Sequence, residues 1–123
     1  MKNKAAKGAM FERELLHFLN AKGFSVMRAP SSGGYLYPVD VLAIKKGKIL
    51  AFECKNYKTK PKLNPKQLSS FKKWAEKAGA ISFLAWRTPK NEWKFLRVED
   101  AENKKYEDEN WFEMPMLEKC FMF

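Results

Sequence analysis

The stretch from Val39 to Lys55 constrains the fold more than any other part of the chain. It contains two apolar runs, 39–44 and 49–55, separated by Lys45-Lys46-Gly47-Lys48, which predicts two antiparallel strands joined by a tight turn. Apolar residues occupy both faces, as is typical of a hairpin near the centre of a sheet. One face is expected to consist of Val39, Val41, Ala43, Leu50, Phe52 and Cys54.

Charged groups converge at the open end of this hairpin. If Lys46 and Gly47 are the turn residues, Asp40 lies directly opposite Glu53, and Lys55 projects from the same face. Carboxylates placed opposite each other repel unless a cation lies between them. The arrangement predicts a metal site with an amine beside it. The alternative is that the carboxylates are solvated strand ends and that Lys55 is a salt-bridge partner.

Length and composition indicate one globular domain. The chain has 123 residues, of which 46% are hydrophobic and 15% aromatic. No apolar run is long enough to cross a membrane and the N-terminus lacks the apolar core of a signal peptide, so a cytoplasmic location is expected. Cys54 and Cys120 are too few for a disulfide scaffold and, with His17, too few for structural zinc. Both cysteines are expected to be reduced and buried.

Positive charge is concentrated in the first 98 residues. The net charge is +10; residues 1–98 carry 21 Lys and Arg against 6 Asp and Glu, whereas the last 25 residues carry 3 against 8. A basic body of this kind indicates a polyanionic partner, most often nucleic acid. The alternative is a solvated, lysine-rich surface. Neither a membrane nor a small-molecule substrate is expected.

The pattern from about 8 to 22 predicts a helix that ends at Gly23. Its apolar stripe comprises Phe11, Leu15, Phe18 and Leu19. Glu12 projects inside this stripe or at its edge, where a carboxylate is costly unless it is paired or bound to a cation. Glu12 is therefore a candidate third ligand, or water-orienting group, for the predicted metal site; the alternative is a buried ion pair with a lysine or arginine. His17 is expected on the surface, and residues 1–7 are expected to form a mobile basic lead-in.

Two loops flank the predicted site. The first, 29–38, is rich in serine, glycine and tyrosine, which suit contacts with a phosphate backbone. The second, 56–65, alternates lysines with prolines and is expected to be exposed and flexible. Five lysines between 55 and 66 suit sequence-independent contacts with phosphates.

The remaining segments complete the order of elements. Asn64 is expected to cap a helix that starts at Pro65, has Gln67 in a capping box and ends at Gly79. Further strands are predicted at 24–28, 81–87 and 93–98. The acidic stretch 99–110 is expected to lie on the surface with little regular structure, and the apolar stretch 111–123 either to pack on the core or to cover a partner subunit. The order helix, three strands, helix, two strands predicts an α/β fold with a mixed central sheet flanked by helices.

Two sets of residues resemble a known family. Asp40 followed by Glu53-Cys54-Lys55 resembles the Asp…Glu-x-Lys signature of the restriction-endonuclease-like nuclease superfamily. The segments 7–16 and 23–28 resemble the N-terminus of archaeal-type Holliday junction resolvases, and in sequence order the similarity extends to about residue 98. The chain departs from the family in its longer loop before Asp40 and in its tail, which has no matching pattern.

This resemblance implies a single nuclease domain that acts as a two-fold symmetric homodimer on four-way DNA junctions and nicks opposed strands. The implied cofactor is Mg²⁺, with Mn²⁺ able to substitute. The implied catalytic residues are Glu12, Asp40, Glu53 and Lys55, and the metal would be held by Asp40, Glu53, Glu12 and the backbone carbonyl of Cys54. The candidate DNA-binding residues are Lys7, Arg13, Arg28, Ser31, Ser32, Lys58, Lys60 and Lys62. Two alternatives remain: a less selective repair or restriction-type nuclease, and a DNA-binding module without catalysis.

Overall fold

The fold consists of a six-stranded sheet with helices on both faces. The computed structural model describes residues 4–29, 36 and 38–121, with side chains at 10–29, 36 and 38–117. In chain order the elements are α1 (Lys4–Ala21), β1 (Ser25–Arg28), β2 (Val41–Lys45), β3 (Lys48–Lys55), α2 (Pro65–Ala78), β4 (Ala80–Arg87), β5 (Trp93–Arg97), α3 (Val98–Glu102), a 3-10 turn (Asp108–Asn110), β6 (Phe112–Glu113) and α4 (Met114–Phe121). None of the helices in this part of the chain has the length and apolarity to cross a membrane.

The strands lie side by side in the order in which they occur in the chain, from β1 to β6. All neighbouring pairs are antiparallel except β3 and β4, which run parallel and are connected through α2. The predicted mixed sheet is therefore confirmed. The predicted hairpin register is also confirmed, because Val41 pairs with Phe52 and Lys45 pairs with Lys48.

Helix α1 covers one face of the sheet, and its core contacts form the α1-side cluster. This cluster comprises Leu15, Leu19, Phe24, Val41, Ala43, Leu50, Phe52, Phe83, Ala85, Trp93, Phe95 and Leu117. Two expectations about α1 are wrong. The helix begins at Lys4 and not at about residue 8, and Phe18 is exposed. Phe18 projects roughly 80° from the direction between Leu15 and Leu19, so the sheet covers a narrower stripe than the pattern indicated.

Helix α2 covers the opposite face, where the α2-side cluster comprises Val39, Ala51, Leu63, Leu68, Phe71, Leu84, Leu96, Val98, Ala101 and Trp111. The predicted capping box is confirmed: the N–H of Gln67 donates to the Asn64 side chain at 2.8 Å, and the N–H of Asn64 donates to the Gln67 side chain at 3.3 Å. Gly79 ends the helix with a φ of 70°, as expected for a glycine cap. These caps set where the chain returns to the sheet beside β3.

Strand β2 begins at Val41 instead of at Val39. Asp40 interrupts the predicted alternation of side chains between the two faces of the sheet. The N–H of Asp40 donates to the carbonyl of Phe52 at 2.9 Å, one residue away from the regular register, and its carbonyl accepts from the N–H of Ala29 at 2.9 Å. Val39 consequently packs in the α2-side cluster, which corrects its expected place on the face of Val41. The backbone around Asp40 is held between β1 and β3.

The C-terminal quarter is more ordered than predicted. The acidic stretch contains α3 and a 3-10 turn, because Val98 and Ala101, three residues apart, both pack in the α2-side cluster. Val98 therefore opens α3 and is not the end of β5. The apolar tail forms β6 and α4 and packs on the core through Leu117, which is 2% exposed. The side chain of Cys120 lies outside the described residues; Cys54 is a free thiol.

Candidate active site

Asp40 is the buried carboxylate of the site. The residue is 4% exposed, and its Oδ2 accepts a 2.7 Å hydrogen bond from the backbone N–H of Cys54. It also lines a cleft of about 130 Å³ with Arg28 and Trp74 among the other walls. This burial rules out the alternative of a solvated strand end for Asp40. A buried carboxylate requires hydrogen bonds or a cation, and the amide of Cys54 supplies one such bond.

Glu53 and Lys55 lie beside Asp40 at the end of β3, although Asp40 is not paired with Glu53 in the regular register as predicted. Lys55 Nζ is 3.3 Å from Glu53 Oε1, and the carboxyl groups of Glu53 and Asp40 interact through both charge and a hydrogen bond. Burial and then the charge of Asp40 raise the pKa of Glu53 to about 8. Burial acts to lower the pKa of Lys55, but the charges of Glu53 and neighbouring groups leave it above its ordinary value. Lys55 is therefore an ammonium ion at neutral pH.

Glu12 reaches the site from α1 but has a different immediate partner. Its Oε1 lies 3.0 Å from Nη1 of Arg28, so the ion pair weighed as an alternative is present. Burial and the charge of Asp40 raise the pKa of Glu12 even though Arg28 opposes the shift. Among the described residues no group of three or more Cys, His, Asp or Glu side chains is arranged to hold a metal. The structure thus brings Asp40 and Glu53 together, whereas the nearby Glu12 is paired with Arg28.

A second ion pair anchors α1, and the sequence pattern did not reveal it. Glu14 accepts from Nε and Nη2 of Arg87 at 2.8 and 3.2 Å, and from the indole N–H of Trp93 at 3.0 Å. Arg87 also donates to the side chain of Asn91 at 3.0 Å. Glu14 is two residues from Glu12, so these partners hold opposite sides of the same helix. The network fixes the position of α1 above the site.

The loop after Lys55 is attached to the sheet near the site. The indole N–H of Trp86 donates to the carbonyl of Tyr57 at 2.9 Å, and Lys55 Nζ lies 5.9 Å from the centre of the Tyr57 ring. Tyr57 is 48% exposed. An aromatic ring therefore lies against the amine of Lys55 and also faces solvent, a contact that the composition of the loop did not indicate.

The predicted DNA-binding residues fall into three groups. Arg13 and Lys58 are exposed, whereas Arg28 is paired with Glu12. Lys60 forms an ion pair with Asp108, and Lys62 lies over the ring of Tyr106 at 5.5 Å. The side chain of Lys7, and Ser31 and Ser32 entirely, lie outside the described residues.

Comparisons with known proteins decide the family. The sequence model described as "Archaeal holliday junction resolvase (hjc)" matches residues 3–111. This chain belongs to the archaeal Holliday junction resolvase family. The predicted resemblance is therefore confirmed, and the fold is the restriction-endonuclease-like fold of that family.

Three Hjc proteins show the extent of the similarity. The crossover junction endodeoxyribonuclease Hjc of Methanocaldococcus jannaschii is 40% identical over 86 residues, covering 69% of this chain and 62% of that protein. The protein of the same name from Sulfolobus acidocaldarius is 38% identical over 104 residues, covering 81% and 71%. The solved structure of Archaeoglobus fulgidus Hjc, a Holliday junction resolvase, matches with a TM-score of 0.67 and 30% identity, covering 75% of this chain and 78% of that one. The match to the Methanocaldococcus protein thus spans less than two thirds of its length.

Membership of the Hjc family implies a divalent metal ion, and the residues present fit one. Asp40 and Glu53 offer hard carboxylate oxygens, and burial, followed by repulsion from the charge of Asp40, raises the pKa of Glu53. A divalent cation between the two groups would remove that repulsion. The free thiol of Cys54 does not compete as a ligand in its neutral form, because burial and the charge of Asp40 raise its pKa.

Proposed function

We propose that this chain is a metal-dependent endonuclease that resolves four-way DNA junctions by paired nicks. The supporting observation is the cluster of Asp40, Glu53 and Lys55 at the end of a buried hairpin, in a chain of the Hjc family. The net charge of +10 is consistent with a polyanionic substrate. The names of the Hjc relatives give the junction as the substrate, and we extend this substrate to the present chain.

Asp40 and Glu53 are the proposed metal ligands, with the backbone carbonyl of Cys54 as a further ligand and Mg²⁺ as the ion. A bound Mg²⁺ would supply a Lewis acid and lower the pKa of a coordinated water. The amide of Cys54 orients the Asp40 carboxylate, and the raised pKa of Glu53 means that this group must lose a proton before it can act as a ligand. Glu12 completes the ligand set or orients the attacking water.

Lys55 is proposed to stabilise negative charge rather than to take a proton. Hydrolysis of a phosphodiester places additional charge on the phosphoryl oxygens, and an ammonium group nearby stabilises it. Because the pKa of Lys55 lies above its ordinary value, owing to Glu53 and its other neighbours and in spite of burial, the side chain carries the required charge. Its pairing with Glu53 holds the amine within reach of the cluster.

DNA contacts are proposed for the basic residues around the cluster, and a homodimer for the active form. Lys58, Lys60 and Lys62 extend from the end of β3, and Arg13 is exposed on α1 beside Glu12. Such residues bind phosphates without reading sequence. A dimer with two-fold symmetry would present two such sites to a junction that has the same symmetry.

The test compares a mobile four-way junction with a linear duplex of matched sequence, each incubated with Mg²⁺, Mn²⁺ or chelator. We expect symmetric nicks in the junction that require a divalent ion, with little cutting of the duplex. Equal cleavage of both substrates would identify a less selective nuclease instead. Binding without nicking in either metal would contradict the proposed activity. Light scattering coupled to size exclusion tests the homodimer.

A further inference from the structure

The Glu12–Arg28 pair lies beside the cluster rather than on the outer surface. Glu12 comes from α1 and Arg28 from the end of β1, where it pairs in the sheet with Val41, the residue after Asp40. The two side chains are 16% and 19% exposed, and their closest charged atoms are 3.0 Å apart. A pair in this position is close to any phosphate and any cation that the site binds.

Each member of the pair has chemistry that suits a different partner. A guanidinium group binds a phosphate with two parallel hydrogen bonds, and a carboxylate is a hard oxygen ligand for a divalent cation. Glu12 is near enough to Asp40 to respond to its charge, yet the described residues contain no three-ligand metal arrangement. Glu12 must therefore reorient if it is to join Asp40 and Glu53 around one ion.

We propose that Glu12 and Arg28 exchange partners when DNA binds: Arg28 turns to a backbone phosphate, and Glu12 turns to the cation held by Asp40 and Glu53. This inference rests on the proposed nuclease function. Arg28 is then a positioning residue, because in the free protein it holds Glu12 out of the metal site. Binding of DNA completes the ligand set.

The exchange predicts a specific thermodynamic relation. In the free protein Arg28 competes with the cation for Glu12, and Glu12 competes with phosphate for Arg28. DNA and metal must therefore strengthen each other's binding by the same factor. Direct contact between a bound ion and a phosphate would also produce such coupling, so coupling in the wild-type protein does not test the exchange. The exchange is tested by asking whether the effect of substituting one residue of the pair depends on the presence of the other.

The first experiment measures Mn²⁺ affinity without DNA, by electron paramagnetic resonance of the free ion, for the wild type, Arg28→Met, Glu12→Gln and the double variant. We expect Arg28→Met to raise the affinity about fivefold or more, because Glu12 becomes available. The same substitution should have no effect when residue 12 is glutamine. An equal rise in both backgrounds would show that only a positive charge had been removed, and no rise in either would also overturn the exchange.

The second experiment measures junction affinity in chelator and does not depend on Arg28→Met folding. Glu12→Gln should bind the junction several-fold more tightly, since Arg28 is released, whereas Glu109→Gln removes an exposed acid elsewhere and should have a smaller effect. Equal effects of the two substitutions would contradict the exchange. A wild-type protein that neither binds nor nicks junctions would overturn the proposed function; one that does both without this dependence on Glu12 and Arg28 would overturn the exchange alone.

Discussion

The backbone N–H of Cys54 holds the carboxylate of Asp40 at 2.7 Å, so a main-chain group of β3 positions the side chain that precedes β2. Asp40 leaves the regular strand register at this point, and its own N–H donates to the carbonyl of Phe52. The bond orients the carboxylate toward Glu53 and Lys55 without requiring another side chain. The site therefore depends on backbone geometry that side-chain substitutions at Cys54 would largely preserve.

Asp40→Asn should lower junction cleavage at least about 100-fold, because an amide is a poorer ligand for a divalent cation than a carboxylate. Junction binding in chelator should persist, since the basic residues are unchanged. Single-turnover cleavage and gel-shift assays measure the two effects, with Glu109→Gln as an exposed acidic control. Near-wild-type cleavage by Asp40→Asn would remove Asp40 from the metal site.

The raised pKa of Glu53 predicts how stability depends on pH in the absence of metal. Between its ordinary pKa of 4.5 and about 8, the folded protein retains a proton that the unfolded chain has released. The free energy of unfolding should therefore fall as the pH rises through this window, by at most about 1.4 kcal/mol per pH unit for this group. Urea unfolding in chelator measures the slope.

Glu53→Gln is the matched variant for this pH dependence. Glutamine does not titrate, so the slope should become shallower, with Glu12 responsible for part of what remains because its pKa is also raised, by burial and by the charge of Asp40. Identical slopes of the free energy of unfolding against pH for the two proteins would contradict the assignment of the proton to Glu53.

In the wild type, the affinity for Mn²⁺ should increase up to about pH 8, since the cation must displace the proton of Glu53.

Glu14→Gln should destabilise the protein by about 2–3 kcal/mol, because it leaves the largely buried guanidinium of Arg87 without its carboxylate partner. The value is below that of a fully buried pair, since the Glu14 side chain is 30% exposed. Glu102→Gln provides the control: its pair with Lys72 is exposed, and its loss should cost no more than about 1 kcal/mol. If urea unfolding showed the same loss in free energy of unfolding for Glu14→Gln and Glu102→Gln, the network would not anchor α1.

Tyr57→Ala should reduce the cleavage rate roughly two- to fivefold, because a partly exposed cation–π contact with Lys55 is worth about 0.5–1 kcal/mol. Tyr57→Phe keeps the ring and should cleave at nearly the wild-type rate. Single-turnover rates at saturating protein separate this effect from DNA affinity. A similar loss in both variants would indicate that the hydroxyl group matters instead of the ring.

Lys58→Ala should lower junction affinity and reduce the slope of log affinity against log salt by about one unit if Lys58 contacts a phosphate. Lys77→Ala is the control, because Lys77 lies in the last turn of α2, next to the strand end farthest from the cluster. Fluorescence anisotropy across a salt series measures both slopes. Matching slopes for the two variants would argue against a phosphate contact at Lys58.

The sequence predicted the hairpin and its register because both depend on local chemistry. The glycine-containing turn determines which residues of β2 and β3 face each other, and the capping box determines where α2 begins. Local rules did not predict the position of Val39, because the backbone at Asp40 leaves the register. They also did not reveal the Glu14–Arg87 pair, whose members are 73 residues apart, since nothing near either residue indicates the other.

The sequential order of the six strands has a consequence for how the site is assembled. Asp40 and Glu53 are separated by 13 positions along the chain, so bringing them together requires the closure of only a short loop, at a small cost in chain entropy. Residues that belong to one hairpin keep their mutual distances when distant segments of a protein are exchanged or lengthened. Asp40 and Glu53 should accordingly come together as soon as this hairpin forms during folding, before the C-terminal half of the sheet is complete.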